Sequence, residues 1–120
     1  MASTAFDPND FLTLARTLAV PPTEAGLRTS VGRAYYATFL VVRDKTRVRA
    51  RRYIHAAVIT TVRRRSGFRA TGDQLDSLRR LRTVADYELL PHRASDRDWE
   101  RGWRIAEHLA RHVLTKIATW

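Results

Sequence analysis

Three side chains near the end of the stretch LRRLRTVADYELL, residues 78–90, have the types and the spacing to do chemistry: Arg82, Asp86 and Tyr87. A guanidinium holds a phosphate through paired N–H donors and stabilises charge building on it, and a carboxylate one helical turn away orients that guanidinium. The phenol adds a hydrogen bond or a proton. A plainer reading stands beside this one. Arg82 and Asp86 form an i,i+4 pair worth about 0.2–0.5 kcal/mol on an exposed helix, in the less favourable arginine-first order, and Tyr87 then serves only packing. A second constellation occupies RTSVGRAYYATF, where helical spacing puts Thr29, Arg33, Tyr36 and Leu40 on one face while Tyr35 and Phe39 point elsewhere. Gly32 within it costs about 1 kcal/mol of helix propensity relative to alanine, which implies the close approach of another backbone. His55 brings an imidazole beside a basic stretch. It serves acid–base chemistry near neutral pH, or else packs and hydrogen-bonds its own helix.

Charge says more than bulk composition. The 120 residues carry 22 Lys+Arg against 12 Asp+Glu, a net of +10, and arginine outnumbers lysine twenty to two. From Arg43 to Arg69 ten basic residues face Asp44 alone, so +9 of that net lies in one stretch. Such a patch favours a polyanion and gains affinity by counterion release if the partner is nucleic acid. Arg49, Arg51, Arg52, Arg63, Arg64 and Arg65 are its candidate phosphate contacts, joined by Arg33 and Tyr36. The competing explanation is an arginine-rich composition spread over solvated helix faces.

Other chemistries find no support. With no cysteine, disulfides, thiolate zinc sites and thiol nucleophiles are excluded. The five glycines never reach a nucleotide-binding spacing, and no nucleophile elbow surrounds any serine. His108 and His112 stand one helical turn apart, but Glu107 points about 100° away from them, so no metal site is expected. No cofactor is implied. The chain lacks a leader pattern and any window near the roughly 18 apolar residues of a membrane span, so a soluble, cytoplasmic protein with no membrane association is expected.

The elements that must position these residues all read as helices. The first covers about Asp7 to Ala19, with Asp7 as N-cap, Pro8 at the first helical position, and a stripe of Phe11, Leu14, Ala15 and Leu18. Thr23 caps a long second helix whose Leu27, Val31, Ala34, Tyr35, Thr38 and Val42 recur at three- and four-residue steps, making it the spine of the fold. A third spans about Arg51 to Arg65, with Ile54, Ala57, Val58, Thr61 and Val62 inward, and Gly67 stops it. The fourth starts near Thr71 or Asp73, carries Leu75, Leu78, Leu81, Val84 and Ala85, and ends before Pro91. Ser95 and Asp98 open the last as a capping-box-like pair, followed by a buried stripe of Trp99, Trp103, Ala106, Ala110, Val113 and Ile117. Five amphipathic helices with short connections and no strand alternation predict a single all-α domain over residues 1–120, an up-and-down bundle.

GRAYYATF, then IHAAV, then LRRLRTVADY, in that order on the second, third and fourth helices, resembles the small stand-alone HEPN-domain proteins of prokaryotes. The likeness runs from about Phe11 to Ile117. It implies an all-helical bundle, a homodimer, and a neighbouring minimal nucleotidyltransferase in a toxin–antitoxin-like pair. Many such proteins are metal-independent endoribonucleases whose catalytic arginine is followed five to seven residues later by histidine. Arg82 matches that arginine, but Tyr87, Glu88 and Leu89 occupy the positions where the histidine belongs, and His92 lies ten residues on, beyond Pro91. The departure matters because attack by a ribose 2′-hydroxyl needs a base, and a phenol with a pKa of about 10 is a poor one at neutral pH. The resemblance makes Arg82, Asp86, Tyr87 and His55 the catalytic candidates.

Three readings follow. The chain is an RNA-directed protein that binds or cuts RNA; or a non-catalytic module that docks a nucleotidyltransferase, with Tyr87 open to modification; or a bundle whose motif residues are purely structural.

Overall fold

The computed structural model describes residues 5–89 and 98–120. Within them the chain forms α1 (Asn9–Leu18), α2 (Glu24–Thr46), α3 (Ile54–Arg64), α4 (Arg69–Tyr87) and α5 (Trp99–Ile117), and no strand. Pro91, His92 and Ser95 lie outside the described residues. None of the described helices is long and apolar enough to cross a membrane.

Local chemistry sets most boundaries. The Asp7 carboxylate accepts the Asn9 N–H at 3.0 Å ahead of α1. Thr23 caps α2 by accepting the Gly26 N–H at 3.1 Å, and Asp98 caps α5 by accepting the Arg101 N–H at 3.1 Å. Asp98 is thus the cap of α5 itself, not a residue of its first turn. Three further starts differ from the periodicity reading: α1 begins at Asn9, with Pro8 rather than Asp7 in the N-cap position. α3 begins at Ile54 rather than Arg51, because Tyr53 before it adopts a left-handed conformation, φ 55°. α4 begins at Arg69, directly after the turn at Gly67, φ 84°.

α2 is the hub and packs against all four other helices. Leu27, Val31, Ala34, Tyr35, Thr38 and Val42 are all buried, and so are Ala37 and Phe39, because neighbours cover α2 on more than one side. Its buried hydroxyls are satisfied: Ser30 Oγ donates toward the Ala15 and Gly26 carbonyls, each at 2.8 Å, and Thr38 Oγ1 donates to the Ala34 carbonyl at 2.8 Å. On α1 the core-facing residues are Leu12 and Ala15, while Leu14, expected inside, is 43% exposed. α3 buries Val58, Ile59 and Val62, with Ile54, Ala57 and Thr61 half-buried; α4 buries Leu75, Leu78 and Ala85. α5 buries its expected stripe except Trp103, which is half-buried.

Two pairings position the site. Arg63, late in α3, pairs with Asp73 early in α4, while Arg79 and Arg82, later in α4, act electrostatically on His55 at the start of α3, so the two helices run antiparallel. Gly32 of α2 faces Asp86, and four residues later Tyr36 meets Arg82, four residues earlier on α4, so α2 and α4 are antiparallel as well. His55 contacts Tyr35, eleven residues before the end of α2, so residues 47–53 carry the chain back along about 16 Å of that helix.

Candidate functional site

Arg82 is the centre of a cluster built where α2, α3 and α4 meet. Its Nη2 donates to the Tyr36 hydroxyl at 2.8 Å, and its guanidinium lies 5.1 Å from the Tyr36 ring centre and 5.5 Å from that of Tyr87. Nε stands 2.9 Å from Asp86 Oδ2. That N–H makes no hydrogen bond, so Arg82 and Asp86 are joined as an ion pair by proximity rather than by an aligned bond. The side chain of Arg82 is only 18% exposed, which makes the pair more than a surface staple.

Gly32 has a specific part in this. A methyl at that position would sit 3.3 Å from Asp86 Oδ1. The group that approaches is therefore a carboxylate and not, as the helix-propensity argument implied, another backbone. On the α1 side, Arg33 lies 5.2 Å over Phe11 and 5.5 Å over Tyr36. Arg28 braces the end of α4: it donates to the Glu88 carbonyl and lies 5.0 Å over Trp99.

His55 enters from α3. Its ring stacks on Phe39 at 4.2 Å and stands edge-on to Tyr36 at 6.3 Å, and Nδ1 lies 2.5 Å from the Tyr35 hydroxyl. Partial burial lowers the imidazole pKa, and the positive charges of Arg79 and Arg82 lower it further, so His55 is neutral at pH 7. Burial raises the Tyr35 phenol well above its ordinary range, outweighing the same two arginines, so it keeps its proton. Among the described residues the acceptor in contact with that buried hydroxyl is His55 Nδ1. Tyr35 therefore donates to Nδ1, which fixes the proton of the neutral imidazole on Nε2. Nε2–H has no partner among the described residues.

The chemical character of the cluster follows. Arg82, the Tyr36 hydroxyl and His55 Nε2–H are all donors, and Arg79 adds charge. Among the described residues, Asp86 is the carboxylate paired with Arg82. Such a set receives an oxyanion. It lacks a free base, because the neutral nitrogen of His55 is used by Tyr35.

The sequence-level patch from Arg43 to Arg69 is divided by the fold. Arg49, Arg51 and Arg52 lie exposed in the connection before α3, on the His55 side. Arg63, Arg64 and Arg65 lie at its other end, about 16 Å away along an 11-residue helix. Arg63 is also engaged, with Nε 2.7 Å from Asp73 and Nη2 3.4 Å from Asp76, and these carboxylates raise its pKa. Arg65 lies 4.2 Å over the Trp120 ring. Tyr87 is 66% exposed at the end of α4.

The structure thus brings Arg82, Asp86, Tyr87, Tyr36, Arg33 and His55 together and leaves Arg63, Arg64 and Arg65 apart. Sequence reasoning missed Tyr35, dismissed as pointing elsewhere, and Arg79, which stands three residues before Arg82 and so shares its face of α4. His108 and His112 have ring centres 4.2 Å apart on an exposed face of α5. Among the described residues, no three or more His, Asp or Glu gather closely enough to hold a metal ion. Compared with known protein families, with curated proteins and with solved structures, the chain matches none of them.

Proposed function

We propose that this chain is an RNA-binding protein of the HEPN kind, acting as a homodimer within a toxin–antitoxin or defence pair, with the Arg82 cluster as its phosphate site. One observation carries the reading: Arg82, Tyr36 Oη and His55 Nε2–H form a set of donors beside Arg49, Arg51 and Arg52, which form no ion pair among the described residues. A phosphate in the cluster and backbone along those arginines account for the concentration of charge. Metal-independent cleavage is a further step of the same reading. It needs a base for the ribose 2′-hydroxyl, and the tautomer that Tyr35 imposes on His55 argues for binding rather than cutting.

The test is fluorescence anisotropy with labelled single-stranded RNA in EDTA, from about 50 to about 200 mM NaCl, with fragments analysed in parallel. Four phosphates neutralised by Arg49, Arg51, Arg52 and Arg82 give a slope of log K against log salt of about −3. Arg82→Gln weakens binding about tenfold, and Arg51→Ala lowers the slope by roughly one phosphate's share. Binding indifferent to salt and to both substitutions would overturn the proposal. Fragments ending in 2′,3′-cyclic phosphate, lost in Arg82→Gln, would extend it to endoribonuclease activity.

The exposure of Tyr87 favours a second reading, a non-catalytic module that presents this side chain to a partner nucleotidyltransferase. Mass spectrometry after incubation with such an enzyme and ATP tests it: a nucleotide adduct on Tyr87 supports it, and an unmodified chain counts against it.

A further inference from the structure

Tyr53 is the most exposed aromatic residue among those described. The residue is 83% exposed, against 53% for Phe6 and 66% for Tyr87. Its backbone is left-handed, φ 55° and ψ 35°, a conformation natural to glycine and tolerated by asparagine but costly for a bulky residue. It stands at the N-cap of α3, yet makes no side-chain cap bond. Neither burial nor capping nor local geometry calls for tyrosine here, and strain retained at such a position points to use.

Its surroundings indicate the use. Arg51 and Arg52 immediately precede it, both exposed. Next to them is an open recess of about 730 Å³ lined by Arg43, Arg49 and Arg51 together with Val48, Ala50 and Ile54, and by Asp44 as its one carboxylate among the described residues. Two residues further on, His55 belongs to the Arg82 cluster. An aromatic plane is thus held out among cations that suit a phosphate backbone, within one turn of the proposed phosphate site.

Resting on the RNA-binding reading above, we infer that Tyr53 is a stacking platform for an unpaired base, which makes the α2–α3 face selective for single-stranded over duplex RNA. A nucleobase offers its π-face only when it has left a helix, whereas phosphates are available in both forms. The arginines therefore provide affinity for any RNA, and Tyr53 provides the preference.

The experiment compares wild type, Tyr53→Gly, Tyr53→Asn and Tyr53→Phe with two labelled probes at one salt concentration: an unstructured RNA of about a dozen nucleotides and a perfect duplex of equal length. Glycine and asparagine both adopt the left-handed backbone, so neither variant should lower the thermal midpoint. Both should lose roughly 5- to 150-fold in affinity for the single strand and little for the duplex, while Tyr53→Phe should bind as wild type does. Equal loss on both probes, or no loss in either variant, would sink the inference and leave RNA binding standing. A loss in Tyr53→Phe equal to that in Tyr53→Gly would also sink it, by assigning the effect to the hydroxyl. Wild type that binds neither probe would remove the RNA-binding reading as well.

Discussion

His55 is the residue whose chemistry depends most on its neighbours. Burial and two nearby guanidinium groups disfavour its proton, so its pKa in the folded chain lies below the ordinary 6.5. Between the folded pKa and about 6.5 the unfolded chain binds more protons, so the free energy of unfolding rises with pH there. The contribution is complete above about pH 6.5 and is lost as acid drives the folded group to protonate. Thermal midpoints measured at about pH 7.5 and about pH 5 should therefore drop further in wild type than in His55→Asn, which cannot titrate. An equal drop in both would show that His55 does not sit in the environment described. The donor role of Nε2 follows from the same contacts, since Tyr35 occupies Nδ1.

At the scale of helices, glycine marks two close approaches of different kinds. A methyl on Gly72 of α4 would lie 3.0 Å from the backbone nitrogen of Arg63 and 3.2 Å from its Cα, so α3 itself would have to move. Gly72→Ala should therefore cost about 1–3 kcal/mol in denaturant unfolding, the usual effect of overpacking. At Gly32 only the Asp86 carboxylate is in the way, at 3.3 Å, and that side chain is a third exposed and free to swing outward. Gly32→Ala should accordingly gain up to about 1 kcal/mol of helix propensity while loosening Asp86 from Arg82. Opposite signs for the two substitutions would confirm that α3–α4 contact is backbone-limited and α2–α4 contact is not. Arg63 strengthens the same α3–α4 seam by reaching both Asp73 and Asp76, and this structural use competes with any contact to phosphate.

For the molecule as a whole, a net charge of +10 on 120 residues means that cations repel one another in the compact state. Raising NaCl from about 50 to about 200 mM should raise the thermal midpoint by screening that repulsion and, over the same range, weaken RNA binding. Stability and affinity moving in the same direction would show that ion pairs, not net repulsion, dominate the charge balance. The fold also determines where the charge acts. Arg49, Arg51 and Arg52 flank the His55 end of α3 while Arg64 and Arg65 lie at the other end, so the stretch that a linear count treats as one patch offers two separate faces.

The sequence by itself determined the five helices, their order, and the buried stripe of α2, because 3.6-residue periodicity and the Thr23 cap are local properties. Residue type and spacing also singled out Tyr36 and the Arg82–Asp86 pair, while His55 was nominated beside them by the motif resemblance. Only the tertiary structure decided that Leu12 rather than Leu14 faces the core, because a one-residue rotation of a short helix depends on what lies opposite. It alone set the tautomer of His55, the carboxylate beside Gly32 and the outward presentation of Tyr53. Each of these depends on a partner distant in the chain or on a backbone angle at a helix boundary, and neither leaves a periodic trace in the sequence.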